Sequence, residues 1–434
     1  MKAKNGGGFG REAILGRDGA ILFVTRALRM FSYGFLSVVL VLYLSALGFG
    51  EGRIGLLLTL TLVGDTLVSL MITTNADRLG RRTMLIIGAA LMTAAGVPFA
   101  LSGDFTILVI AATLGVISPS GNEVGPFLAI EQASLSQILP DDRRTSIFAW
   151  YNLVGSLATA LGALAGGWAA QGMQGAGIPP VASYRALVLA YAAFGILLAA
   201  VFFFLSRSVE APDRTQDGAQ DGAKVGTQDG AADSTAAAGR FGLGKESRPV
   251  VARLAALFSL DAFAGGFVIQ SMVAYWFHLR YGVSPGLLGS IFFFANILAA
   301  VSALLAARIA KRIGLINTMV FTHLPSNVLL ILVPLMPNLP LAIAVLLLRF
   351  SISQMDVPTR QSYTMSSVKP EERSAAAGIT GIARTTGASV SPVLTGQLIA
   401  IPALAGLPFL IAGGLKIVYD LLLYRSFRKA ERKV

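Results

Sequence analysis

Asp77-Arg78-Leu79-Gly80-Arg81-Arg82 stands between two apolar runs, 54–75 and 83–101. Each run approaches the ~20 residues that carry a helix across a bilayer. A short arginine-rich turn between two such runs reads as a cytoplasmic connection, because Lys and Arg collect on that side of a membrane. The acid and the glycine inside the turn make it more than a topology signal.

Outward from this turn the same apolarity recurs. Runs near 20–47, 54–75, 83–101, 105–136, 146–171, 184–206, 252–279, 286–309, 316–336, 339–366, 375–400 and 403–424 predict twelve transmembrane helices. The expected class is an all-α integral membrane protein. The 434 residues are 54% hydrophobic and 13% charged, whereas soluble domains are about one-quarter charged. With no cysteine, disulfides, thiol chemistry and Cys-type metal sites are excluded. His278 and His323 are too few for a His-based metal centre. No Walker-type glycine loop is present, so ATP hydrolysis is not expected. Neither enzymatic activity nor a cofactor is expected. Residues Met1 to Gly19 are polar and Gly-rich, unlike a cleavable signal.

The net charge of +12 is a matter of topology rather than of nucleic-acid binding. If the N-terminus is cytoplasmic, that side carries 26 of the 35 Lys and Arg residues, and the other carries only Arg53, Arg185 and Arg280. The bias predicts a multi-pass protein of the inner or plasma membrane with both termini cytoplasmic.

Residues 207–249 break the apolar pattern. Thr215-Gln216-Asp217-Gly218-Ala219 returns as Thr227-Gln228-Asp229-Gly230-Ala231, amid Gly, Ala and Asp. Such composition predicts a disordered cytoplasmic linker. It divides the chain into a six-span bundle over 1–206 and another over 250–434. The bundles repeat each other. Pro140-Asp141-Asp142-Arg143 matches Pro370-Glu371-Glu372-Arg373, and Gly166 matches Gly396, at an offset of 230. Gly55 and Gly80 match Gly289 and Gly314 at an offset of 234.

Two pseudo-symmetric six-span halves and this hinge together resemble the major facilitator superfamily, over essentially the whole chain. Its motif between spans two and three is G-x-L-A-D-R-x-G-R-R. Here Thr73-Thr74-Asn75-Ala76-Asp77-Arg78-Leu79-Gly80-Arg81-Arg82 keeps the acidic, glycine and basic positions, with Thr73 and Asn75 at the leading glycine and the leucine. The resemblance implies that Asp77 sits against the N-terminal end of span eleven and holds an outward-facing state. A carboxylate is stabilised there by the helix dipole. Arg78, Gly80 and Arg81 belong to this gate, and Arg384 could serve it with Asp77. The second-half copy, Ala310-Lys311-Arg312-Ile313-Gly314, has no acid. In span five, Gly162-Ala163-Leu164-Ala165-Gly166-Gly167 resembles the Gly-Pro-x-x-Gly-Gly run of drug:proton antiporters without its proline. The span-eleven counterpart Ser391-Pro392-Val393-Leu394-Thr395-Gly396 keeps one. Those glycines could equally serve ordinary small-residue helix packing.

Charges inside the spans carry the functional reading. Arg26, Arg29, Arg349, Arg360 and Arg384 stand against Asp65, Glu123, Glu131, Asp261 and Asp356. Unpaired, each would cost about 3 kcal/mol on insertion scales, so they must pair or line water. Arg26, Arg29 and Tyr33 follow helical spacing on span one. Arg349, Asp356 and Arg360 would share one face of span ten. Glu123 and Glu131 lie on span four and Asp261 on span seven. Spans one, four, seven and ten line the cavity in the family this chain resembles. Bland alternatives stand beside these roles. Arg26 could snorkel, Asp356 and Arg360 could simply pair within their helix, and Glu131 could only neutralise Arg26 or Arg29. Asp65 could be a structural acid near the seam between halves, and His278 an interfacial residue. Glu123 is the sharpest candidate, since Gly121, Gly125 and Pro126 loosen its helix. An arginine moving toward or away from it would switch its protonation.

The first functional reading is a secondary active transporter working by alternating access, with proton-coupled efflux of small organic compounds. Glu123 and Asp356 would be the leading proton acceptors, with Glu131 and Asp261 behind them. Arg26, Arg29 and Arg360 would balance these acids or hold an anion. The alternative is uptake or exchange of an organic anion gripped by arginines. A third reading, a membrane sensor that does not transport, is opposed by the intact hinge and the matched charges. The partners implied are a small-molecule substrate, protons and the lipid bilayer.

Overall fold

A computed structural model describes residues 15–210, 243–369 and 372–431. Among these residues every regular element is helical. Span one comprises Gly16–Ser37 and Leu40–Ala46, span two Glu51–Leu79, and span three Arg81–Leu101. Span four comprises Phe105–Leu114 and Phe127–Ile138, span five Asp141–Gly175, and span six Pro180–Phe202. In the second half, span seven comprises Ser247–Gly266 and Gln270–Tyr281, span eight Pro285–Ile313, and span nine Leu315–Leu332. Span ten comprises Leu339–Phe350 and Asp356–Ser366, span eleven Arg373–Ile399, and span twelve Leu407–Glu431.

Eight of these units are long and apolar enough to cross a bilayer unaided, and span one joins them when its two pieces, bent by 40°, are taken together. The three that fall short are spans four, ten and eleven. Four and ten are each split into two short helices, and eleven carries Arg384 amid Ser and Thr. The broken spans are one, four, seven and ten, the first of each group of three. Local chemistry explains two of the breaks. In span four, Gly121 and Gly125 adopt φ of +69° and +79°, and Pro119 and Pro126 lack an N–H. In span ten, Pro358 is tolerated only in the first turn of a helix, so the helix restarts at Asp356.

Small residues set the packing. A Cβ on Gly34, Gly162 or Gly166 would run into the backbone of the facing helix, so spans one and five lie in close contact. Gly266 and Gly387 do the same for spans seven and eleven. Gly167 packs on Gly289, and Gly55 on Gly396, bringing five against eight and two against eleven. The antiporter-like glycines are thus occupied in helix packing. The repeat is also one residue shorter than the sequence match implies, because Gly167, not Gly166, takes the place equivalent to Gly396. Gly80 and Gly314, at φ of +98° and +89°, occupy equivalent turns before spans three and nine, where a side chain would strain the backbone.

The two halves close on the side away from the termini. Tyr275 bonds Ser45 at 3.1 Å and Glu51 at 2.9 Å, Trp168 donates to Ser290 at 3.0 Å, and Gln171 accepts from Ser284 and the Gly286 N–H. Replacing Gly396 with Val should hold this side open, because its Cβ meets the Glu51 carbonyl and Gly55. In the naturally cysteine-free chain a single Ser45→Cys reporter should then label faster with a membrane-impermeant maleimide. An unchanged labelling rate would show that the crossing adapts.

The linker boundaries need correction at both ends. Span seven begins at Ser247, inside the expected linker. Residues 206–210 are docked on the first half, with Val209 fully buried. Glu210 accepts the N–H groups of Arg81 and Arg82, capping span three, and Gln137 donates to the Ser208 carbonyl at 3.2 Å. At the other end Glu372 accepts from Ser247 Oγ and the Gly244 N–H, and these bonds, the Ser247 hydroxyl first, hold its carboxyl below the usual range. The repeats at 215–231 lie outside the described residues.

Candidate functional site

A cavity of about 840 Å³ lies between the halves. It runs from Gln270, at the break of span seven, to Phe148 and Ala307, toward the terminal ends of spans five and eight. Its wall is mostly apolar, with Asn152, Asn296, Gln354 and Gln361 among its amides. Gln270 donates to Ser37 Oγ at 2.7 Å and accepts from Asn296 at 3.3 Å, which ties spans one, seven and eight at its closed end. Among the described residues, the charged groups on the wall are Arg26, Arg349 and Lys416.

The carboxylates sit behind this wall in two networks. In the first half, Arg29 is fully buried and forked onto both oxygens of Glu131 at 2.6 and 2.7 Å. Its Nε donates to Glu123 at 2.9 Å, and Arg26 pairs with the other Glu123 oxygen. Tyr151 donates to Glu131, which also accepts from Thr25. Bidentate, charge-assisted pairing of this kind is what permits four ions inside a membrane bundle. Arg26 is therefore a buried partner of Glu123, not a snorkelling cation. Tyr33 is fully buried and donates to the Val124 carbonyl at 3.2 Å, so it braces the break of span four and does not line the cavity. Asp65 braces the same break within its own half, accepting the Gly125 N–H at 2.7 Å.

In the second half, Asp261 is the centre. Lys416 Nζ lies 2.5 Å from one oxygen, and Arg360 Nη1 lies 3.1 Å from the other. Arg360 also donates to Asp356 at 2.9 Å. Span ten, expected to carry Arg349, Asp356 and Arg360 on one face, is interrupted at 351–355. Asp356 and Arg360 pair behind the wall, while Arg349 stands on it with a buried Nε that has no hydrogen-bond partner. The Arg349 guanidinium lies 5.0 Å from the Phe350 ring.

The expected gate is open in this conformation. The Asp77 side chain is 67% exposed and pairs with Arg81 at 2.8 Å, one turn along. Arg384 is found not beside Asp77 but 3.9 Å from Asp261. Arg81 also bonds Gln137 at 2.8 Å and the Val209 carbonyl at 3.2 Å. Sequence reasoning missed Lys416, Asp420 and Tyr151, and read His323 only as too little for a metal. The signal was present in part: Lys416 and Asp420 are four apart on span twelve, as His323 and Asn327 are on span nine, so each pair shares a helix face.

Comparison with known proteins agrees with this architecture. The family model of the Major Facilitator Superfamily matches residues 22–392. An uncharacterized membrane protein of Saccharomyces cerevisiae is 32% identical over 430 residues, covering 96% of each chain. Among solved structures, a bacterial homolog of the human lysosomal transporter Spinster, in an inward-facing and unoccupied conformation, superposes with a TM-score of 0.69 at 17% identity, over 95% of this chain and 97% of that one. A D-xylose-proton symporter gives 0.70 at 14% identity over 94% and 97%. The human organic anion transporter MFSD10 gives 0.60 at 18% over 93% and 98%. With twelve spans in two like halves around a central cavity, this chain is a transporter that belongs to the major facilitator superfamily.

Proposed function

We propose that this chain carries small organic anions by alternating access. One observation carries the reading: among the described residues the charged groups on the cavity wall are all cations, contributed by both halves, with Arg26 from the first and Arg349 and Lys416 from the second. Arg349 is the sharpest of them: among the described residues Arg26 pairs with Glu123 and Lys416 with Asp261, while no acid bonds the Arg349 guanidinium. A planar donor fork of this kind suits a carboxylate or a phosphate. The volume fits a small molecule. The solved neighbours carry various cargoes and at their identities share only the fold, so the cargo rests on the cavity. Thermal unfolding of the purified protein against panels of anions, cations and neutral compounds tests it. An anion at 100 times its Kd should add about 2.7 kcal/mol of apparent stability. Arg349→Gln should weaken its binding roughly tenfold to a hundredfold, the worth of a hydrogen bond to a charged group. Stabilisation by cations or neutral compounds alone would overturn the reading.

Proton coupling enters through Arg26. It faces the cavity and also pairs with Glu123. An anion that draws Arg26 away leaves Glu123 to Arg29 alone and favours its protonation. Export driven by proton exchange has less support, because the span-five glycines are used in packing and a cationic wall would repel cationic drugs. We assign the hinge the part of a latch for the opposite conformation, with Asp77 released here and engaged on span eleven when the terminal side closes.

A further inference from the structure

One buried cluster touches that reading only through Lys416. On span nine, His323 Nδ1 lies 2.9 Å from Asp420 Oδ1, and Asn327 donates to the other Asp420 oxygen at 2.9 Å. His323 Nε2 lies 3.9 Å from Asp261 Oδ1. That same oxygen receives Lys416, the member of the cluster that reaches the cavity.

We propose that His323 is a proton-binding site, loaded when Lys416 leaves Asp261 for a ligand in the cavity. Both ring nitrogens of a protonated imidazole donate. Here each nitrogen faces a carboxylate, Asp420 on span twelve and Asp261 on span seven. The surrounding charges are unevenly placed. Asp261 and Asp356 are held by Arg360, Lys416 and, at 3.9 Å, Arg384 on span eleven, with Arg349 on the cavity wall of the same span as Asp356. The Tyr419 ring, edge-on at 6.0 Å, adds no charge. Asp420, fully buried, bonds none of these cations among the described residues and has only His323 and Asn327. A buried charge without a partner is costly. Withdrawing Lys416 takes a cation from Asp261, the acid that faces His323 Nε2, and a proton on His323 replaces it. Arrival of an anion at Lys416 thus draws a proton into span nine, at a site separate from Glu123.

This rests on the anion reading only for what draws Lys416 away, and the link between Lys416 and His323 can be measured without any substrate. The chain has two histidines, so the full-length protein labelled with 15N-histidine gives two sets of ring signals, and His278→Gln assigns them. The His323 set, followed from about pH 5 to 8, reads the protonation of the ring directly. Lys416→Met should shift the pH dependence of the His323 signals, because it removes the cation that shares Asp261 Oδ1 with His323. Lys416→Arg, and Lys311→Met on an exposed turn of span eight, should leave it in place. Lys416→Gln replaces Lys416→Met if the latter does not fold. A His323 ring that stays neutral across the range, or a titration indifferent to Lys416, would overturn the proposal and leave a structural hydrogen bond. If the coupling holds but no anion stabilises the protein, the anion reading fails and this one stands.

Discussion

Glu131→Gln is expected to cost about 3 kcal/mol of stability, the lower part of the range for breaking a buried ion pair. Arg29 loses the carboxylate charge and one arm of its fork, since the amide keeps a single acceptor oxygen, and its remaining ion pair is the contact to Glu123 at 2.9 Å. Burial explains the size: Arg29 and Glu131 are each fully inaccessible, so water cannot replace the lost carboxylate. Tyr151 and Thr25 lose a charged acceptor at the same time. Removing the cation as well reverses part of the damage. The double variant Glu131→Gln with Arg29→Gln should be more stable than the sum of the single losses by about 0.5–3 kcal/mol, the usual coupling of groups in one network. Arg26 serves as the contrast. It reaches Glu131 only through Glu123 and Tyr151, so a cycle between Arg26 and Glu131 should show a smaller coupling than that between Arg29 and Glu131. Thermal unfolding in detergent reads all of these variants. Strict additivity for Arg29 and Glu131 would show that the fork contributes nothing to the folded state.

Most of the fold could be read in the sequence because membranes impose it. Apolar length marks a span, and the count of twelve follows from that rule alone. The rule fails where function needs polarity. Spans four and ten are each split into short helices and span eleven carries Arg384 amid Ser and Thr, so length and apolarity do not pick them out in the folded chain. Their apolar runs mark them in the sequence all the same, because a run is counted straight through a break. Charged residues announced the two networks, since a buried ion in a bilayer must have a reason. Their partners depended on the breaks, which a straight-helix spacing cannot foresee. Arg349 and Asp356 are seven apart and would stack on an unbroken helix, yet across the break at 351–355 only Arg349 lines the cavity, while Asp356 pairs with Arg360. Glu123 and Glu131 are eight apart across another break and still converge on Arg29. Lys416 lies inside the apolar run 403–424 with Asp420 four residues on, a spacing that suggests a pair within span twelve, yet Lys416 bonds Asp261 on span seven. The gate could be read as a motif but not as a state, since the motif does not say which conformation the chain adopts.

Glu123→Gln should uncouple transport from a pH gradient while leaving the protein folded. The substitution keeps the shape and removes the titratable group. Glu123 suits this test better than Glu131 because its side chain is 16% exposed, while that of Glu131 is fully closed off. Protons can therefore reach it. Its two cations differ in the same way: Arg29 is sealed in the first-half network, and Arg26 stands on the cavity wall. A substrate anion at Arg26 and a proton on Glu123 then favour each other, and such linkage is reciprocal. With coupling of about 1–3 kcal/mol, the pH gradient should change net flux roughly 5- to 150-fold in the unmodified protein, and that dependence should vanish in the variant. Exchange of labelled for unlabelled anion needs no net proton movement and should persist. The measurement is flux into proteoliposomes, with and without a gradient, of the anion selected by thermal unfolding. Unaltered pH dependence in Glu123→Gln, with exchange intact, would remove Glu123 from the coupling path and leave His323 as the site to test for that role.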